Sequence, residues 1–167
     1  DLNIFRRMME VNYLGAVNGL HFALPHLKES RGHMVAIASI QSKIGVPYHT
    51  GYVASKHALE GFCRALRYDL EGTGVTVLTV HPHWIRGTNL RTNACSADDQ
   101  PIGDRKLAHT GESISTAECS AAILKAIGNR DKELIIPGKL RFVPWLKLLW
   151  PGLLRRKIWS KINRQEN

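Results

Sequence analysis

The segment Val75-Thr76-Val77-Leu78-Thr79-Val80 is β-branched at nearly every position, which makes it the strongest strand signal in the chain. Two more short apolar runs are bounded by turn residues. His33-Met34-Val35-Ala36-Ile37-Ala38 follows Arg31-Gly32 and suits a strand buried on both faces, ending at Ser39. Glu133-Leu134-Ile135-Ile136 is stopped by Pro137-Gly138. Helical periodicity fills the spaces between these runs. From Leu2 to about Leu27, Ile4, Phe5, Met8, Met9, Val11, Leu14, Val17, Leu20 and Leu24 recur at helix spacing behind Asp1 as N-cap, which predicts a long, mostly buried helix kinked near Pro25. Thr50 to about Leu70 reads as a second long helix, stopped by Glu71-Gly72-Thr73-Gly74. Ser115-Thr116-Ala117-Glu118 is a capping box opening a helix that runs to about Ile127. Between Pro82 and about residue 112 the chain is polar and aperiodic, long enough for a binding loop or lid. Strands alternating with crossover helices predict an α/β fold, a Rossmann-like parallel sheet, over residues 1–138.

Composition narrows the function classes. The 167 residues are 44% hydrophobic and 22% charged, within the range of a globular domain. No apolar stretch is long enough to span a membrane. Cys63, Cys95 and Cys119 include no C-x-x-C pair, which argues against a zinc cage or disulfide scaffold and makes a reducing, cytoplasmic compartment the default. The net charge of +9 is uneven: residues 139–167 hold eight Lys+Arg against one Asp+Glu, so the rest is close to neutral. With no zinc-finger spacing and no aromatic RNA-binding motif, nucleic acid is not the expected partner. The first residues form neither a signal peptide nor a start methionine, so a mature or truncated piece is expected.

The second helix opens with Tyr52-Val53-Ala54-Ser55-Lys56. Residues four apart stack on one helix face, so the ammonium of Lys56 is expected near the phenol of Tyr52. A free phenol, with a pKa near 10, is a poor acid or base at neutral pH; a neighbouring cation favours the phenolate. Taken alone, the pair fits an ordinary solvated helix start equally well. Ser39, however, stands at the carboxyl end of the first strand, where open α/β sheets place their ligands, and precedes Tyr52 by 13 residues. Asn12 is a polar amide amid the apolar residues of the first helix, where it needs a hydrogen-bonding partner if it faces inward.

Together these residues resemble the catalytic portion of the short-chain dehydrogenases/reductases. The likeness rests on Val11-Asn12-Tyr13-Leu14-Gly15, on Val35-Ala36-Ile37-Ala38-Ser39 with Gly45 and Pro47, on Tyr52-x-x-x-Lys56 with Ala54-Ser55, and on Val80-His81-Pro82. The resemblance implies a tetrad in which Tyr52 is the general acid/base and Lys56 binds the nicotinamide ribose and lowers the Tyr52 pKa. In it Ser39 polarises the substrate oxygen, and Asn12 holds a relay water through its backbone carbonyl. It implies NAD or NADP as cofactor, with Tyr52, Lys56, Pro82, Ile85 and Thr88 contacting it. It also implies a small-molecule alcohol or carbonyl substrate, and a homodimer or homotetramer in which the first two helices pack against their copies.

The pattern departs from the family in two places. After the second strand, His83 stands where a glycine is usual, and Thr88 comes one place late in Pro82-His83-Trp84-Ile85-Arg86-Gly87-Thr88. The family's glycine-rich phosphate turn also has no counterpart here, because Gly72-Thr73-Gly74 precedes a strand instead of following one. The resemblance therefore implies a carboxyl-terminal portion of a longer dehydrogenase, without the half that holds adenine and pyrophosphate.

Residues 139–167 form a separate basic, apolar tail in which Phe142, Trp145, Trp150 and Trp159 interleave with lysine and arginine. Two readings fit it: peripheral contact with a membrane interface, or a cover over the substrate pocket or a dimer contact. Pro144 and Pro151 exclude one long helix. An apolar tail favours a lipophilic substrate of steroid, retinoid or acyl type, with polyols and sugars left open. Two functions follow for the chain: an alcohol/carbonyl oxidoreductase, or a catalytically inactive module that binds a membrane or a partner.

Overall fold

The computed structural model describes residues 1–90 and 113–166. Strands β1 (His33–Ile37), β2 (Thr76–Pro82) and β5 (Glu133–Ile136) form one sheet in the order β1-β2-β5. Both pairings are parallel, with Val35 opposite Leu78, Ile37 opposite Val80 and Pro82 opposite Ile136. The carboxyl ends of all three strands therefore lie along one edge. Helix α3 (Thr50–Asp69) connects β1 to β2, and α4 (Thr116–Gly128) precedes β5.

Residue alternation along the strands divides the interior into two layers. Ala36, Ala38, Val75 and Val77 pack with Leu20 of α2 (Gly15–Ser30) and with Leu59, Cys63 and Leu66 of α3. Leu78, Val80 and Ile136 face the other way, onto Cys119 and Ala126 of α4. β2 is the central strand, and its residues from Val77 to Pro82 are all buried, as its β-branched sequence requires. The capping box of α4 is present in both directions: the Ser115 hydroxyl accepts from Glu118 N–H, and the Glu118 carboxylate accepts from Ser115 N–H.

Several expectations need correction. The first helix is present, but it is mostly exposed: Leu20 is its one buried residue, while Phe22 is 76% exposed. The helix lies on β1 and α3 with its outer side uncovered, so periodicity identified the helix correctly and overstated its burial. Its departure from α geometry is not at Pro25, which sits inside α2, but at a π-helical turn, Glu10–Leu14, between α1 (Leu2–Met9) and α2. There the Gly15 N–H bonds the Glu10 carbonyl, five residues back. Strand β1 is not covered on both faces either; it is the edge of the sheet among the described residues, and Ile37 is exposed. The stretch after Pro82 is not all loop, because β3 (Ile85–Arg86) pairs in parallel with β4 (Ile114–Ser115). The remainder of the expected lid, residues 91–112 including Cys95, lies outside the described residues.

The tail folds into a 3-10 turn (Gly138–Phe142), α5 (Val143–Leu149) and α6 (Pro151–Glu166). Pro144 stands in the first turn of α5 and Pro151 opens α6, where a missing N–H costs nothing. Among the described residues no helix is long and apolar enough to cross a membrane.

Candidate active site

Ser39 follows β1 in extended conformation and caps the 3-10 turn Ile40–Ser42, its hydroxyl accepting from the Gln41 N–H at 3.2 Å. Placed there, at the carboxyl edge of the sheet, its hydroxyl stands by the phenol of Tyr52, in the first turn of α3, and lowers that phenol's pKa. One turn further along α3, the Lys56 ammonium lies 5.8 Å from the centre of the Tyr52 ring. Lys56 donates to the Ile37 carbonyl at 2.9 Å, which ties α3 to the end of β1.

Asn12 enters from the opposite side. The π-helical turn turns its side chain toward α3, where Nδ2 donates to Ser55 Oγ at 3.0 Å. Ser55, fully buried, passes its own proton to the Tyr52 carbonyl at 2.9 Å. The amide expected to need a partner therefore has one, and that partner anchors the backbone of the tyrosine. Close approach of the helices permits this: a Cβ on Gly51 would come within 2.8 Å of the Met8 sulfur.

The electrostatics differ from expectation in one respect. The Tyr52 phenol is pushed up from its ordinary value, first by burial, with the Ser39 hydrogen bond offsetting part of the rise. Lys56 was expected to bring it down, but the desolvation of the phenol dominates. Lys56 is itself pushed down by burial. Tyr52 thus holds its proton at neutral pH.

Asn12, Ile37 and Lys56 line one end of a cavity of about 450 Å³ whose walls continue past Val35 and Met34 to His33. Most of it follows the outer edge of β1 beneath α2, so it has the shape of a groove beside an unpaired strand; only the end at Ile37 reaches the site.

The residues expected beyond β2 lie on the strand end and the segment after it. Pro82 ends β2 opposite Ile136, and Ile85 packs on the α4 side of the core. The Thr88 hydroxyl donates to the Ile85 carbonyl at 3.4 Å and is exposed. The tail reaches the other flank of the site. Trp159 meets Tyr48 edge to face at 6.2 Å, Lys147 donates to the Lys43 carbonyl at 3.0 Å, and Leu154 and Ile158 close a cavity of about 200 Å³ against Ile44 and Pro47. Phe142, Trp145, Leu148, Leu149 and Trp150 meanwhile point outward and are exposed.

Sequence reasoning missed Ser55 and a buried ionic group formed by Lys43, Glu60, His81 and Glu133. The signals were present as polar residues in apolar company: His81 inside the buried central strand, and Glu60 on the helix face that also carries Leu59 and Cys63.

The mouse protein dehydrogenase/reductase SDR family member 7B is 34% identical over 98% of this chain and 51% of its own length. A Dictyostelium discoideum protein, dehydrogenase/reductase SDR family protein 7-like, is 30% identical over 92% of this chain and 46% of its own. The chain spans about half the length of the curated relatives it matches. Among solved structures, a short chain dehydrogenase from Burkholderia cenocepacia in complex with NADP superposes with a TM-score of 0.75, at 22% identity over 95% of this chain and 60% of that one. A short-chain dehydrogenase from Streptomyces avermitilis gives 0.71 at 22% identity, covering all of this chain and 65% of that one. These two establish the fold. The family model described as short chain dehydrogenase matches residues 1–99, which contain Asn12, Ser39, Tyr52 and Lys56. The chain belongs to the short-chain dehydrogenase family.

Proposed function

We propose that the protein carrying this chain is an NAD(P)-dependent oxidoreductase that interconverts an alcohol and a carbonyl, with Asn12, Ser39, Tyr52 and Lys56 as its catalytic tetrad. The observation that carries this reading is the pairing of the Ser39 hydroxyl with the Tyr52 phenol at the carboxyl edge of a parallel sheet, with the Lys56 ammonium 5.8 Å from the phenol ring. Tyr52 gives its proton to the carbonyl oxygen as charge develops there, which a phenol kept neutral by burial can do at neutral pH. Ser39 directs a hydroxyl at the same oxygen. Lys56 opens onto the end of the β1 groove, where an ammonium suits the hydroxyls of a ribose, and Asn12 is given the relay water through its backbone carbonyl. A bound nicotinamide would supply or accept the hydride. Pro82, Ile85 and Thr88 would contact it, through backbone groups at Ile85 because that side chain is used in packing. The contact of α6 with Tyr48 and Pro47 supports the tail as a cover over the substrate, and its apolar surface favours a lipophilic one.

Tyr52→Phe should lower turnover by about 10²–10⁴-fold while NADPH binding, measured by calorimetry, stays within about twofold. Undiminished turnover would remove Tyr52 from the mechanism. A second reading concerns location. The outward residues of α5 stand beside Lys139, Arg141 and Lys147, which suits contact with an anionic membrane surface. Sedimentation with phosphatidylserine vesicles should carry the protein down and leave Trp145→Glu in solution; equal sedimentation of the two would oppose the reading. The exposed side of α2 that carries Phe22 is the place for a subunit contact.

A further inference from the structure

The buried ionic group lies directly beneath the turn that carries Ser39. Ser39 O accepts the Ser42 N–H at 2.9 Å and the Ser42 hydroxyl at 2.7 Å. The His81 Nδ1 stands 2.9 Å from Ser42 Oγ and 3.2 Å from Ser39 O. One imidazole edge therefore meets both ends of the turn from below. Its other edge faces two carboxylates, with Nε2 3.1 Å from Glu60 Oε2 and 3.4 Å from Glu133 Oε1. The Ser42 hydroxyl already gives its hydrogen to Ser39 O, so Nδ1 is the donor from the imidazole to the turn.

His81 is fully buried and Glu60 is 7% exposed. The Lys43 ammonium bridges the carboxylates, 2.6 Å from Glu60 and 2.7 Å from Glu133, and Arg64 approaches Glu60 at 3.1 Å. Glu60, His81 and Glu133 could between them offer three ligand atoms to a metal ion. The tethered Lys43 already supplies the cation there. Burying an imidazole and a carboxylate is costly unless they are paired or fix something, and what the imidazole touches is the Ser39 turn. The four residues also come from four elements: the segment after the 3-10 turn, α3, β2 and β5. The group therefore locks the turn to the body of the sheet.

We propose that His81, oriented by Glu60 and Glu133, is a positioning residue that holds the Ser39 turn so that the Ser39 hydroxyl stays on the Tyr52 phenol. The proposal rests on the catalytic role given above to Ser39 and Tyr52. It assigns to the ionic group a part in transition-state geometry beyond its part in stability. His81 touches neither the phenol nor the substrate, and acts through Ser39.

Two substitutions separate positioning from mere packing. In His81→Asn the amide nitrogen takes the place of Nδ1 and keeps the contact with Ser39 and Ser42 while losing the carboxylates. In His81→Leu both contacts go. Tyr52 ionisation is followed by NMR of the protein labelled at the tyrosine ζ-carbon, with Tyr52→Phe identifying the signal. Turnover is measured with NADPH and whichever ketone or aldehyde of a panel the parent protein reduces fastest. His81→Leu should shift Tyr52 ionisation to higher pH, because the Ser39 hydrogen bond that lowers it is lost, and should cut kcat about tenfold with KM for NADPH unchanged. His81→Asn should retain most of both properties. A folded His81→Leu protein whose Tyr52 ionises as in the parent overturns the proposal, as does His81→Asn behaving like His81→Leu. The NMR measurement needs no turnover. A parent protein that reduces nothing in the panel while its Tyr52 signal responds to His81→Leu would count against the oxidoreductase reading and for the positioning.

Discussion

Replacing Glu60 by glutamine tests the energetics of the buried ionic group. Burial alone would raise the Glu60 pKa, but the contacts with His81 and Lys43 outweigh it and bring the carboxyl from 4.5 to about 2. At about 1.4 kcal/mol per unit, a shift of that size corresponds to about 3 kcal/mol of stability at neutral pH. The sign follows from linkage: a carboxyl whose folded pKa is depressed contributes fully above its unfolded value, and the contribution fades as pH falls from 4.5 toward about 2. Glu60→Gln should therefore lose about 3 kcal/mol at pH 7, a drop of roughly 1–2 M in the urea midpoint for a chain of this size. The difference from the parent should shrink steadily on acidification through that window. Urea titrations at several pH values, read by circular dichroism, supply the comparison. A variant as stable as the parent at neutral pH, or a difference that does not narrow in acid, would refute the reasoning.

Other expectations follow from the same contacts. Arg67 donates to the Val77 carbonyl at 3.1 Å and, at 2.6 Å each, to the Thr79 hydroxyl and the Lys132 carbonyl. Arg67→Met should thus destabilise the protein by about 2–4 kcal/mol, and Arg67→Lys should recover only part, since one ammonium cannot span three acceptors; thermal melts decide. Ser115→Ala removes one half of a complete capping box and should cost about 1 kcal/mol, read as a lower Tm. Cys63 is fully buried with its thiol pushed up, first by burial, and should resist iodoacetamide until the protein unfolds. Rapid labelling of native Cys63 would contradict its placement.

The sheet was largely legible because its signal is local. Three β-branched or apolar runs bounded by glycine and proline leave little choice of strand, and intervening helices of that length require parallel crossovers. The spacing of Asn12, Ser39, Tyr52 and Lys56 was legible for a related reason: each stands at the end or on a face of an element that the sequence marks clearly. What periodicity could not show was burial. An apolar face on the first helix has the same pattern whether or not a neighbour covers it, and here Phe5 and Phe22 are open. Nor could it show the desolvation of Tyr52. A lysine four residues from a tyrosine is expected to lower its pKa, but burial of the phenol raises it, and that burial comes from the packing of elements distant in sequence. The group of Lys43, Glu60, His81 and Glu133 is assembled across up to 90 residues of sequence, and no local pattern joins its members.

The central claim is that Ser39 and Tyr52 work on one oxygen as a unit, and a double-mutant cycle tests it most directly. Ser39→Ala, Tyr52→Phe and the double variant are compared by kcat/KM for carbonyl reduction. Groups acting as a unit give strongly non-additive losses, so the double variant should be about as slow as Tyr52→Phe alone. Losses that simply multiply would mean the two side chains act independently, which contradicts the account.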